Sequence, residues 1–145
     1  IDLFSGCGTF TFPLAQTAHL HAVEGQAEMI MALTQAARFA EGIKPITAET
    51  RDLFRRPVLA DELAKFDAIL IDPPRAGAEA QMREIAKSDV PIIASLSCNP
   101  QSFARDTKIL IDAGYRLDWV QPIDQFRWSP HVELAARLSL PHMRD

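Results

Sequence analysis

Two short apolar strands, each ending on residues that cannot continue a strand, constrain this chain more than any other feature. FDAILIDPP, residues 66–74, runs through four apolar residues and stops at an acid and two prolines, and VPIIASLS, residues 90–97, repeats the design and stops at a cysteine. Strands this apolar must be covered on both faces, and helices in the crossovers between parallel strands are the usual cover. The rest of the chain supplies them. TFPLAQTA (11–18) reads as a short helix and HLHAVEG (19–25) as a strand ending at Glu24. QAEMIMALTQAARFAEG (26–42) places Ile30, Leu33, Ala37 and Ala40 on one helical face, with Gly42 suited to its stop. IKPITAE (43–49) is a weak strand broken by Pro45, and RDLFRRP (51–57) a loop. AEAQMREIAKS (78–88) and PQSFARDTKILIDAG (100–114) are helical, the second ending at Gly114. YRLDWVQPI (115–123) and HVELAARLSL (131–140) then follow as strands without a helix between them, the latter with Val132, Leu134, Ala136, Leu138 and Leu140 on one face. The expected fold is α/β, a doubly wound and mostly parallel sheet with an antiparallel C-terminal edge strand.

With 145 residues, 48% of them hydrophobic, the chain can bury one core, and a single domain over residues 1–145 is expected. No apolar run approaches the roughly 18 residues of a membrane span and no secretion leader opens the chain, so a cytoplasmic, monomeric protein without membrane contact is expected. IDLFSGCGTF begins at a strand end, as if the chain were truncated at its N-terminus. Two cysteines, Cys7 and Cys98, without CxxC or HxxxH spacing call for neither a disulfide framework nor a metal. A net charge of -4 argues against a domain that grips nucleic acid by itself.

In doubly wound sheets ligands bind beyond the carboxyl ends of the strands. Here those ends carry Asp2 to Gly8, Glu24, Asp72 with Pro73 to Arg75, and Cys98. Gly6 and Gly8 let the backbone turn tightly against a ligand, and Glu24 is placed to accept hydrogen bonds from two ribose hydroxyls. Thr11 stands where a dinucleotide fingerprint has its third glycine, which favours an adenosine without phosphates, S-adenosylmethionine being the common one. Asp52 is either a ligand to the adenine amino group or a solvated loop acid. Asn99 and Pro100 start a helix directly after Cys98, so its sulfur sits at a positive helix end, where a thiolate is stabilised. A small buried packing residue is the competing reading for Cys98, and the preferred one for Cys7. Two prolines hold Asp72 in extended geometry, while Arg75 can pair with it or meet a phosphate. Glu133 alone is an ordinary strand carboxylate, but Phe126, Trp128 and His131 crowd before it.

Taken together, DLFSGCGTFTFPLA, DPPRAG, SLSCNPQSFARD and QFRWSPHVE closely resemble the catalytic domain of the RNA (uracil-5-)-methyltransferase family, in order and over nearly the whole chain. The resemblance implies a class I S-adenosylmethionine-dependent methyltransferase fold of Rossmann-like type. It implies Cys98 as nucleophile, Glu133 as general base and Asp72 as an active-site acid contacting the target base or cofactor. It also implies a cofactor site of Asp2, Phe4, Gly6, Gly8 and Glu24, with Asp52 and Asp72. The implied substrate is uridine in RNA, ribosomal ahead of transfer RNA, gripped mainly by an N-terminal barrel and a central domain that this segment lacks. Cytosine-5 RNA methyltransferases carry a Pro-Cys where this chain has DPPRAG, and amino-group methyltransferases an aromatic residue where it has Arg75. Thr11 opposes a dinucleotide-dependent oxidoreductase. The intact Cys98, Glu133 and Asp72 oppose a non-catalytic cofactor- or RNA-binding module.

Overall fold

In the computed structural model, which describes residues 1–125, 128–129 and 131–141, the chain divides into two compact units, Ile1–Arg56 and Pro57–Asp145. The first unit alternates strand and helix: β1 (Asp2–Leu3), α1 (Thr11–Ala15), β2 (Leu20–Glu24), α2 (Ala27–Phe39) and β3 (Ile46–Thr50). β2 lies between β1 and β3 and is parallel to both. Leu20, Ala22 and Val23 are buried from β2, and Ile30 and Leu33 from the expected face of α2. α2 stops at Phe39, short of Gly42, because Ala40 is already extended at ψ 129°; Gly42, at φ 70°, serves the turn towards β3.

The second unit holds α3 (Ala60–Leu63), β4 (Ala68–Ile71), α4 (Glu79–Ile85), β5 (Ile92–Ser97), α5 (Pro100–Asp112), β6 (Arg116–Ile123) and β7 (Glu133–Ser139). β4 and β5 are parallel; β7 is antiparallel to both β5 and β6, giving the order β4-β5-β7-β6. The C-terminal strand is thus antiparallel as its pattern suggests, and it inserts beside β5, leaving the mostly exposed β6 outside. Buried Ala136 and Leu138 alternate with exposed Arg137 on β7. Ile69, Ile71, Met82, Ile85, Ile93 and Leu110, each at most 2% exposed, form the core of this unit. α5 begins as its sequence predicts, with Asn99 as a side-chain cap and Pro100 in the first turn. Gly114 ends the helix signal at φ 100°, and its N–H donates to the Ile111 carbonyl while the Tyr115 N–H returns to Leu110. α3 has no counterpart in the sequence reading, since four residues are too few to display a period; Glu62 and Glu84 accept the Leu59 and Ala60 N–H groups at its start.

Among the described residues, no helix is long and apolar enough to cross a membrane.

Candidate active site

In the first unit the turn after β1 takes the backbone through three left-handed residues, Phe4 at φ 61°, Gly6 at 56° and Gly8 at 101°. A side chain on Gly8 would meet the Phe12 ring at 2.7 Å and Leu33 at 3.3 Å, so the loop requires glycine there on grounds of space as well as conformation. Phe4 pays for its left-handed backbone by packing its ring on Phe54, centroids 5.4 Å apart. The turn is closed from below: buried Asp2 accepts a 2.6 Å hydrogen bond from the Thr11 hydroxyl. The residue that breaks the dinucleotide pattern therefore has a job inside the loop.

Glu24 ends β2 and joins this loop. Its carboxylate accepts the Gly6 N–H at 3.1 Å and the Gln26 N–H at 3.0 Å, one on each oxygen. Each carboxylate oxygen has two acceptor sites, so both keep capacity for a diol. The donor set and the glycine-lined turn fit an adenosine-type cofactor. Asp52 lies in the same unit, where it closes its own turn by accepting the Phe54 and Arg55 N–H groups at 3.0 and 3.3 Å and lies 3.6 Å from the Arg55 Nε.

Asp72, Cys98 and Glu133 all belong to the second unit. β5 and β7 pair in one unbroken register from Ile92↔Ser139 to Ser97↔Leu134, so Cys98 follows the last paired residue of β5 and Glu133 precedes the first paired residue of β7, at the same end of the pair. Cys98 is half-buried. The Ser97 hydroxyl bridges its turn, accepting the Asn99 N–H at 3.2 Å and donating to the Asn99 carbonyl at 3.1 Å. Asp72 follows β4. Burial, and after it the charge of Glu133, push its carboxyl above the ordinary 3.8. That shift also places the two acids within electrostatic reach of each other.

Arg75 turns its guanidinium to His131, with Nη1 3.3 Å from both ring nitrogens, which gives His131 a neighbour the sequence did not suggest. Trp128 is fully exposed, while Phe126, the other aromatic candidate for stacking on a base, lies outside the described residues. Sequence reasoning missed the bracing of the DPPRAG loop: Asn99 Nδ2 donates to the Arg75 carbonyl at 3.0 Å, Arg105 Nη2 to the Ala76 carbonyl at 2.9 Å, and buried Asp106 accepts the Ala78 N–H at 2.7 Å. The one available signal was a polar Asn–Arg–Asp set on the first two turns of α5.

Residues 1–140 match the family described as tRNA (Uracil-5-)-methyltransferase. An uncharacterized RNA methyltransferase of Mesorhizobium japonicum is 56% identical over 99% of this chain and 35% of its own length. The 23S rRNA (uracil(1939)-C(5))-methyltransferase RlmD of Chromohalobacter salexigens is 37% identical over 92% of the chain and 27% of its own length. The chain thus spans about a third of the length of these relatives. Among solved structures, TYW2 of M. jannaschii in complex with AdoMet superposes with a TM-score of 0.67, covering 97% of this chain and 68% of its own at 17% identity, which supports the α/β methyltransferase fold. Matched by the family along nearly all of its length, the chain belongs to the tRNA (uracil-5-)-methyltransferase family.

Proposed function

We propose that residues 1–145 are the catalytic domain of an enzyme that transfers a methyl group from S-adenosylmethionine to carbon 5 of a uridine in RNA, through a covalent adduct at carbon 6. The observation that carries this reading is that the β5/β7 pair ends at Ser97↔Leu134, with Cys98 and Glu133 the next residues at that end, and that burial and the charge of that same Glu133 raise the carboxyl of Asp72. A nucleophile and a base that act on neighbouring carbons of one ring must both reach the same bound base.

The chemistry follows from the poor nucleophilicity of uracil carbon 5. The Cys98 thiolate adds to carbon 6, moving the ring electrons into an enolate at oxygen 4 and making carbon 5 electron-rich. Asp72, its carboxyl raised by burial and the charge of Glu133, is the acid proposed to contact the target base. The cofactor supplies an electrophilic methyl group, and Gly6, Gly8 and Glu24, with Asp2 and Phe4 shaping the turn, are the residues that would hold it. Once carbon 5 carries the methyl group, Glu133 removes the proton from the same carbon. The electrons return to form the 5,6 double bond and expel the Cys98 thiolate.

The RNA is proposed to be 23S ribosomal RNA, on the strength of the 37% identical ribosomal relative. The description of the matched family favours transfer RNA as the second reading. With a net charge of -4, this chain is proposed to leave most of the RNA grip to other parts of the complete protein. The test is intact mass of the complete protein after incubation with S-adenosylmethionine and 5-fluorouridine RNA of each kind. Fluorine at carbon 5 cannot leave as a proton, so a methylated covalent adduct is expected with the wild type and none with Cys98→Ala. Radiolabelled methyl transfer to ordinary RNA without any fluorouridine adduct would overturn the covalent mechanism.

A further inference from the structure

Three side chains at the start of α5 hold one loop. From Arg75 to Ala78 the backbone offers the carbonyls of Arg75 and Ala76 and the N–H of Ala78, and each meets a side chain from the helix that begins beside Cys98: Asn99, Arg105 and Asp106. Arg105 and Asp106 are themselves joined, Nη2 to Oδ1 at 2.7 Å and Nε to Oδ1 at 2.8 Å. The fit leaves no slack at Gly77, where an added Cβ would run into Asp106 Oδ2, Arg105 Nη2 and, at 3.0 Å, Ser102 Cβ. Gly77 also takes φ 77°.

Within this brace Asn99 differs from the other two because it works in two directions. Its Oδ1 accepts the Gln101 N–H at 3.0 Å, capping the helix behind Cys98, while its Nδ2 donates at 3.0 Å to the Arg75 carbonyl, three residues beyond Asp72. An amide does both with two separate atoms, whereas Ser, an equally good cap, has a single oxygen and Asp has no donor.

We propose that Asn99 is a positioning residue whose amide fixes the Cys98 turn against the Asp72–Arg75 loop, so that nucleophile and acid meet the base in one geometry. The inference rests on the roles proposed above for Cys98 and Asp72. Displacing a catalytic group by about 1 Å can cost about 10²-fold in rate.

Two variants separate the tie from the cap. Asn99→Ser keeps a neutral capping oxygen and loses the separate amide group that bonds the Arg75 carbonyl; Asn99→Asp keeps the cap, loses the donor and adds a charge. In the complete protein, kcat and KM for uridine methylation are measured beside amide hydrogen exchange across residues 75–78, melting temperature, and the pH dependence of Cys98 alkylation. Both variants are expected to lose about 10- to 100-fold in kcat with KM values within about twofold of wild type, to exchange faster at 75–78, and to melt close to wild type. Wild-type kcat in both variants would reduce Asn99 to a helix cap and overturn the proposal. A loss confined to Asn99→Asp, with a shifted alkylation profile, would assign the effect to charge and overturn it equally. If the wild type methylates no uridine, the functional reading falls, and exchange decides the tie alone: acceleration in both variants sustains it, and unchanged exchange overturns it.

Discussion

The acids of the two units live under opposite conditions. Glu24 in the first unit is met by two backbone N–H groups, which fix its carboxylate before any ligand arrives. Asp72 in the second is half-buried, held by the two prolines that follow it, and placed where the charge of Glu133 works against its own ionisation. A carboxylate that only has to hold a ligand gains from being satisfied in advance, because preorganisation removes an ordering cost from binding. A carboxyl that has to shift a proton or a hydrogen bond during the reaction is useful only if its resting state is not too comfortable. On this view the first unit is built for affinity and the second for reactivity, so substitutions in the two should separate into effects on KM and on kcat.

The most severe separation is expected at Glu133. Glu133→Gln retains shape but cannot remove the proton from carbon 5, and turnover should fall by about 10²- to 10⁴-fold. Addition and methylation need no base at that carbon, so a methylated adduct on Cys98 should accumulate on ordinary uridine RNA, read by intact mass. Equal turnover, or loss without trapped adduct, would remove Glu133 from the base role. A milder effect is expected in the first unit. Glu24→Ala removes two hydrogen bonds to a charged acceptor along with the proposed diol contact, and KM for S-adenosylmethionine should rise about 10- to 100-fold. Turnover at saturating cofactor should stay within about threefold. A drop in kcat as large as the rise in KM would break the contrast between holding and reacting.

How far the sequence reaches depends on how local each feature is. Cys98 could be placed at a helix start because Asn99-Pro100 is a local cap signal, and α5 begins there. Asp72 could be placed at a strand end because AILI followed by an acid and two prolines admits little else. The insertion of β7 between β5 and β6 was not legible, since it depends on which strands pair across more than thirty residues, and period-two patterning is silent on partners. The same limit hid the Asn99–Arg75 tie, whose partners are 24 residues apart. Asp52 is different: its capping of Phe54 and Arg55 is a short-range aspartate turn that the residues themselves could have suggested. Thr11 marks a missing glycine in the sequence, and in the structure its hydroxyl is in use on Asp2.

The finest test of the contrast lies in stability. Because the folded state raises the pKa of Asp72 above 3.8, it binds that proton more tightly than the unfolded chain does. The stabilising contribution of the protonated acid is complete below 3.8 and is lost as pH rises through the raised folded value, so at neutral pH the ionised side chain works against folding. Asn carries no such charge at any pH. Asp72→Asn should therefore melt higher than wild type at pH 7, by about 1–4 °C, while turnover falls. The gain should shrink as the pH is lowered through the folded value and be gone below 3.8. Combining it with Glu133→Gln should leave a smaller gain, because burial, the larger cause, persists while the opposing charge is gone. Thermal melts of the four proteins at pH 7, 5 and 3.5 make the comparison. If Asp72→Asn melted lower at pH 7, or kept its gain undiminished in acid, Asp72 would be as well satisfied as Glu24, and the contrast between the two acids would collapse.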